Sequence, residues 1–250
     1  MHTLDIFTAP WVLSICIVLF AAFMRGVAGF GFALILAPIM LLIIEPTTTV
    51  VINLFLGLLS NVLVLSYSFK GVDLKKISPM IIGCALGIPI GARIINIIPS
   101  QTLKVLIGGV TVVCAVPLAI GFTKTLRKDR LFSGVAGFFS GILSSSTSLG
   151  GPPVVLFMHS QDWKKEIIHP SLAAYFSFLN LWSIIALYIS GLIQIQMILS
   201  ALSLAPALLI GTGAGIIVFR KINVRYFRWF SLAVIICSGV LGILSGTGVF

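Results

Sequence analysis

The chain has 250 residues, of which 59% are hydrophobic and only 9% are charged. This composition excludes an ordinary soluble domain, in which roughly a quarter of the residues are charged. The net charge of +10 would indicate a nucleic-acid partner in a soluble protein, but here the basic residues separate long apolar runs and therefore report membrane topology. We expect a multi-pass membrane protein that embeds in a lipid bilayer and has no nucleic-acid partner.

The apolar runs divide the chain into two similar halves. A helix needs about 20 apolar residues to cross the hydrocarbon core. Each half is expected to open with an apolar segment broken by glycines, near 11–44 and 131–161, and to continue with three full spans. These spans are predicted near 48–69, 77–97 and 103–122, then near 170–190, 195–218 and 227–249. The predicted units are a first repeat at 1–123, a cytoplasmic linker at 124–130 and a second repeat at 131–250.

Short sequence matches support the repeat. The word GVAGF occurs at residues 26–30 and again at 134–138, 108 positions later. Further along, Gly87 and Gly91 have counterparts in Gly211 and Gly215 at an offset of 124. A fixed offset between similar segments indicates a repeated architecture. We interpret the two GVAGF segments as marking two helix breaks that meet at one substrate site.

The basic residues predict how the broken segments run. If each one doubles back as a hairpin, thirteen of the sixteen Lys and Arg residues lie on one side, which should be the cytoplasm. An odd number of crossings then separates the two halves, so they have opposite orientations. The expected fold is an all-α polytopic membrane protein with two inverted repeats, each a broken or re-entrant helical hairpin plus three transmembrane helices. Both termini are predicted to lie outside.

Glycine and proline in the hairpins predict a site for a small anion. Glycine permits positive φ, and proline removes an amide donor. Irregular backbone inside a membrane survives only where it is buried in protein or lines a wet cavity, and helix N-termini attract anions. We therefore predict a substrate-binding set formed by Arg25, Gly26, Gly29, Gly31, Pro38, Gly134, Gly137, Ser145, Ser146, Thr147, Ser148, Gly150, Gly151 and Pro152.

A packing role is the alternative for several of these residues. Small residues let membrane helices approach closely, which would account for individual glycines without any ligand. Arg25 could extend to the membrane interface instead of facing an anion. Asn53, Asn61 and Asn180 lie inside predicted spans and could bond across helices instead of touching substrate.

The two hairpin motifs also carry a family resemblance. GVAGFGFALILAP and GVAGFFSG…SLGGPPVVLF resemble the two signature motifs of the sulfite exporter TauE/SafE family of permeases, and the similarity extends over essentially the whole chain. The resemblance implies transport of sulfite, thiosulfate or small organosulfonates across the inner membrane of a bacterial cell. The residues by themselves indicate only a small anion.

Other functions are weighed against this interpretation. The sequence has no HExxH motif, no intramembrane aspartate pair and no CxxC pair, so we expect no enzyme, no cofactor and no metal site. An anion channel, or a carrier for a non-sulfur solute or a metal cation, stays open. All six acidic residues fall in predicted loops or termini, so facilitated diffusion fits at least as well as proton coupling.

Overall fold

The computed structural model describes residues 9–28, 31–120, 130–161, 163–219 and 224–248. These ranges contain ten α-helices, a 3-10 turn at Phe69–Gly71 and no β-strand, which confirms the all-α class. The helices are α1 (Ala9–Ala28), α2 (Phe32–Met40), α3 (Pro46–Ser68), α4 (Leu74–Ile97), α5 (Ser100–Ile120), α6 (Arg130–Thr147), α7 (Gly151–His159), α8 (Lys165–Ile189), α9 (Ile195–Phe219) and α10 (Val224–Gly246).

Six of these helices contain a segment that is long and apolar enough to cross a membrane. The segments are Ala9–Val27, Pro46–Gly71, Leu74–Ile97, Glu166–Ile189, Ile195–Val218 and Trp229–Gly246. A shorter apolar stretch, Ser100–Val116, lies in α5. The protein is therefore a polytopic membrane protein, as the composition predicts.

Each half begins with a long helix followed by a short one. The second arms, α2 and α7, have nine residues each, so each is about 14 Å long at 1.5 Å per residue. That length covers roughly half of the ~30 Å hydrocarbon core. The first arms are longer, with 20 residues in α1 and 18 in α6. The expected break is present in each half, and the second arms are half-length helices.

The helix contacts follow the same plan in the two halves. Helix α1 packs against α9, and its counterpart α6 packs against α4. Helix α3 also contacts α9, and its counterpart α8 contacts α4, while α5 packs against α10 and α3 against α8. Exchanging the halves therefore leaves this set of pairs unchanged. The opposite orientation of the halves in the membrane stays a prediction.

The structure corrects the interpretation of the second GVAGF segment. Residues 134–138 lie inside α6, which continues to Thr147, so the break comes about ten residues later than predicted. Corresponding helices begin 119 residues apart for α2 and α7 and 124 residues apart for α5 and α10. The offset of 108 between the two words is therefore not the register of the repeat. These glycines lie on the side of α6 that faces α4, where small residues allow the two backbones to approach.

The predicted linker at 124–130 falls almost entirely outside the described residues, which resume at Arg130 as the first residue of α6. Gly29 also lies outside them, between α1 and α2.

Candidate functional site

The first break is formed by Gly31, which precedes α2. Its φ of 93° lies in the left-handed region, and an added Cβ would meet nothing within 4 Å. The carbonyl of Gly31 accepts the first helical hydrogen bond, from the amide of Ile35 at 3.2 Å. The preceding amides, those of Phe32, Ala33 and Leu34, belong to the first turn and have no partner within α2 itself. The N-terminus of α2 at the first break therefore has three backbone amides that are free of hydrogen bonds within the helix and can donate to another group.

The second break contains a non-glycine residue in the left-handed region. Ser148 has a φ of 59° and is 8% exposed, a conformation that costs a non-glycine residue roughly 1–2 kcal/mol. Its amide donates to the carbonyl of Ser144 at 2.8 Å, which ends α6. The hydroxyl of Ser140 donates to the carbonyl of Gly150 at 2.5 Å and ties the start of α7 back to α6.

The N-terminus of α7 offers fewer donors than that of α2. Pro152 and Pro153 occupy its second and third positions, and neither has an amide hydrogen. Only Gly151 supplies an amide among the first three residues. Both half-helices carry a partial positive charge at this end, but the hydrogen-bond donors are concentrated at α2. The two helix N-termini therefore differ in the number of amide donors that they can offer an anion.

The hydroxyl run at the end of α6 bonds mainly to backbone carbonyls. The hydroxyls of Ser146 and Thr147 each donate at 2.6 Å to carbonyls one turn earlier, and that of Ser148 donates to Thr147 at 2.6 Å. The Ser145 hydroxyl lies 2.8 Å from the carbonyl of Ile88 on α4. A serine or threonine hydroxyl has one hydrogen to donate, so these groups would have to rotate before they could donate to an anion.

Helix α3 carries a buried polar stripe that faces the second break. Thr49, Asn53, Gly57 and Asn61 recur every four residues and therefore share one side of the helix. The side-chain amide of Asn53 donates to the Ser148 hydroxyl at 2.8 Å. The carbonyl oxygen of Asn53 and the hydroxyl of Thr49 are buried without a hydrogen-bond partner. An unpaired buried polar group costs about 1–3 kcal/mol, so a hydrogen bond to a ligand or a water would stabilise these two groups.

Thr49 was not among the predicted site residues. The four-residue spacing that joins it to Asn53 and Asn61 was available in the sequence and is the signal that identifies it. Asn53 and Asn61 bond across helices, as one of the interpretations above expects. Asn180 of α8 lies against the same stripe, because a Cβ added at Gly57 would be 2.8 Å from its side-chain nitrogen.

Arg25 lies near the end of α1, six residues before the break at Gly31. One guanidinium nitrogen donates to the side-chain oxygen of Asn61 at 2.7 Å. Within the part of the chain that the structure describes, no carboxylate lies within 4 Å of this guanidinium. The ion pair in the described residues joins Lys76 to Asp73 and does not involve Arg25. Arg25 is therefore a cation inside an apolar segment whose described partner is a neutral amide.

Other predicted site residues lie in helix–helix contacts. A Cβ added at Gly26 would be 2.5 Å from the carbonyl oxygen of Thr212 on α9, and one added at Gly137 would collide with the backbone of Met80 on α4. Gly134 packs more loosely near Pro79, at 3.6 Å. Pro38 and Pro152 are buried inside α2 and α7. Close packing accounts for Gly26 and Gly137 without a ligand, and a binding role for these residues stays a prediction.

A comparison with protein families identifies the chain. The sequence model described as sulfite exporter TauE/SafE matches residues 14–241, nearly the whole length. The chain belongs to the sulfite exporter TauE/SafE family. No curated protein and no solved structure matches it in the corresponding comparisons. This TauE/SafE family member is thus a membrane transporter, and the expectation drawn from its two glycine motifs is confirmed at the level of the family.

In this TauE/SafE protein, α3 links the neighbourhoods of the two breaks. Asn53 contacts Ser148 of the second break, and Asn61 contacts Arg25 near the first. The two asparagines are eight residues apart, which is about 12 Å along the helix. In the apolar segment of α3, 61% of the residues in its 18-residue window are buried, which is a larger share than in the other five candidate spans. The structure therefore brings Arg25 and Ser148 to one buried helix, whereas Gly26, Gly134 and Gly137 pack against other helices.

Proposed function

We propose that this TauE/SafE protein exports a small sulfur-containing anion, such as sulfite, thiosulfate or an organosulfonate, across a bacterial inner membrane. The observation that carries the proposal is Arg25, an intramembrane cation hydrogen-bonded to Asn61 and without a carboxylate partner among the described residues. Ionisable residues inside membrane spans are costly and are usually functional.

The chemistry of arginine suits an oxyanion. A guanidinium has five N–H donors in a planar fork and can bind two oxygens of one anion. One nitrogen of Arg25 is engaged by Asn61, which holds the side chain toward α3 and leaves other donors available. An anion would therefore replace part of the hydration that the guanidinium loses inside the bundle. A cationic substrate would instead be repelled, which favours an anion over a metal cation as the cargo.

The two half-helices suggest how the anion crosses. Helices α2 and α7 each cover about half of the bilayer, and Gly31 and Gly150 are the residues that cap their N-termini. In our proposal the anion binds between these breaks, and movement of one half against the other exposes it alternately to the two sides. An inside-negative potential favours export by about 2.3 kcal/mol per charge per 100 mV, so no coupled ion is required for exit.

Flux measurements on Arg25 variants test the proposal. Purified protein in liposomes loaded with sulfite, thiosulfate or isethionate is assayed for anion release, with Arg25→Gln and Arg25→Lys compared to the wild type. A charged hydrogen bond contributes about 1.5–3 kcal/mol, so Arg25→Gln should reduce flux by roughly 10- to 150-fold. The flux of Arg25→Lys should lie between that of the wild type and that of Arg25→Gln, because lysine keeps the positive charge but lacks the planar fork of donors.

Arg93 provides the matched control. It is an exposed arginine on α4, and Arg93→Gln should leave flux unchanged. Normal flux in Arg25→Gln, or transport of cations in place of anions, would contradict the proposal. Acceleration of efflux by an anion on the opposite side supports a carrier, whereas its absence would favour the alternative of an anion channel.

A further inference from the structure

A second basic region lies away from the two breaks. An open cavity of about 440 Å³ lies where α4 and α6 begin and where α7 ends. Its charged walls are Asp73, Lys75, Lys76 and Arg130. These basic residues belong to the group predicted to face the cytoplasm.

Among the described residues that line the cavity, three are basic and one is acidic. Asp73 forms an ion pair with Lys76 at 3.0 Å. No acid among the described residues pairs with Lys75 or Arg130, and both side chains are exposed. Two helix N-termini, those of α4 and α6, add partial positive charge at the same place. The charges of the described residues at the cavity therefore favour an anion.

Ser133 provides independent support for a ligand. This residue lines the cavity, is 4% exposed, and its hydroxyl is buried without a hydrogen-bond partner. Serine at this depth is normally paired, because an unsatisfied hydroxyl is unfavourable. Trp163 also lines the cavity, with the ammonium of Lys76 5.4 Å from the centre of its ring. The cavity thus combines unpaired cations with an unused hydrogen-bonding group.

We propose that this cavity binds a tetrahedral oxyanion of the phosphate or sulfate type, at a site separate from the helix breaks. Lys75 and Arg130 would supply charge, and Ser133 would supply a hydrogen bond. The oxyanion has two sources with the same chemistry, a diffusing anion or the phosphate of a phospholipid. Next to Arg130, the exposed residues Leu131, Val135 and Phe139 are spaced four residues apart and therefore lie on one side of α6. They would give the acyl chain of a lipid an apolar surface to lie against.

Calorimetric titration of the detergent-purified full chain with sodium sulfate tests the site. Ser133→Ala and the double variant Lys75→Gln/Arg130→Gln should each weaken sulfate binding by about tenfold or more. Ser133→Ala is the sharper variant, since it removes a hydroxyl that makes no bond in the protein. Asp73→Asn should tighten binding, because it removes the acid and keeps a residue suited to its helix-capping position.

The control is Lys70→Gln, which removes an exposed lysine from the 3-10 turn outside the cavity. It should bind sulfate like the wild type. If sulfate binding is lost in Arg25→Gln and unchanged in the Ser133 and Lys75/Arg130 variants, the anion binds at the breaks and the cavity proposal is wrong. That result would leave the proposed transport function intact.

A lipid measurement separates the two sources. The protein is reconstituted in nanodiscs of phosphatidylcholine with or without phosphatidylglycerol, and retained lipid is measured by native mass spectrometry. Phosphatidylglycerol that is retained by the wild type, displaced by sulfate and lost in Ser133→Ala identifies a lipid headgroup site. Sulfate binding without such retention identifies a site for a diffusing anion. Absence of both sulfate binding and selective phosphatidylglycerol retention would overturn the proposal.

Discussion

The neighbouring glycines Gly150 and Gly151 provide a sharp test of the second break, because their surroundings differ. A Cβ added at Gly150 would be 2.6 Å from the carbonyl oxygen of Ser140 and 2.8 Å from the Cβ of Ser144. Ordinary contacts begin at 3.4 Å, so the backbone would have to move by about 0.8 Å. A Cβ added at Gly151 would be 3.8 Å from the ring of Phe176, an ordinary contact.

We expect Gly150→Ala to impair transport and Gly151→Ala to preserve it. Overpacking of this kind costs about 1–3 kcal/mol, and the required shift would also disturb the hydrogen bond from Ser140 to the carbonyl of Gly150. If 1.4 kcal/mol of that cost falls on substrate binding, flux at low substrate falls about tenfold. Gly151→Ala should stay within about twofold of the wild type by the same scale.

The assay is sulfite efflux from proteoliposomes, with the melting temperature and size-exclusion profile of each variant measured in parallel. Gly151→Leu extends the test, because a large side chain at the start of α7 should block a path that passes the break while the fold is retained. Normal efflux in Gly151→Leu, or wild-type efflux in Gly150→Ala, would refute the claim that this break lines the path.

Two further predictions concern stability. Gly87→Leu on α4 should strongly lower the melting temperature, because even a Cβ there would collide with the carbonyl of Phe138 on α6. Gly109→Leu on α5 should have little effect, because an added Cβ there meets nothing within 4 Å. Equal melting temperatures of the two variants would contradict this packing. The hydrogen bond from Lys76 holds the pKa of Asp73 below its ordinary value of 3.8. Stabilisation by this carboxylate should therefore be present above that value and lost as the pH falls through the lowered pKa. The wild type should melt slightly above Asp73→Asn at about pH 6 and lose this advantage toward about pH 3; a difference that does not depend on pH would contradict the assignment.

Apolar length and glycine content predicted much of the fold because these properties act locally. A run of about 20 apolar residues satisfies its own backbone hydrogen bonds as a helix in any membrane context. The predicted span at 195–218 and the observed α9, Ile195–Phe219, differ by one residue. The break at Gly31 before α2 and the start of α7 at the Gly-Gly-Pro-Pro run of residues 150–153 were likewise predictable, because glycine permits positive φ and proline lacks the amide donor that a helix interior needs.

The register of the repeat was not predictable from GVAGF, because the word lies at different distances from the helix ends in the two halves. In the first half the word begins in the last turn of α1, which ends at Ala28, while in the second half it lies within α6. The presence of a glycine in the sequence does not show whether it permits a turn or allows two helices to pack closely. Only the position of α4 against α6 shows that Gly137 allows these two helices to pack closely.

The sequence by itself determined that this is an all-α membrane protein with two broken hairpins, and its motifs pointed to the TauE/SafE family. These conclusions depend on hydrophobicity, helix breaking and short motifs, each of which is encoded by neighbouring residues. The tertiary structure decided which side chains meet. The hydrogen bonds of Asn61 to Arg25 and of Asn53 to Ser148 join residues 36 and 95 positions apart, because helix packing brings separate segments together around α3.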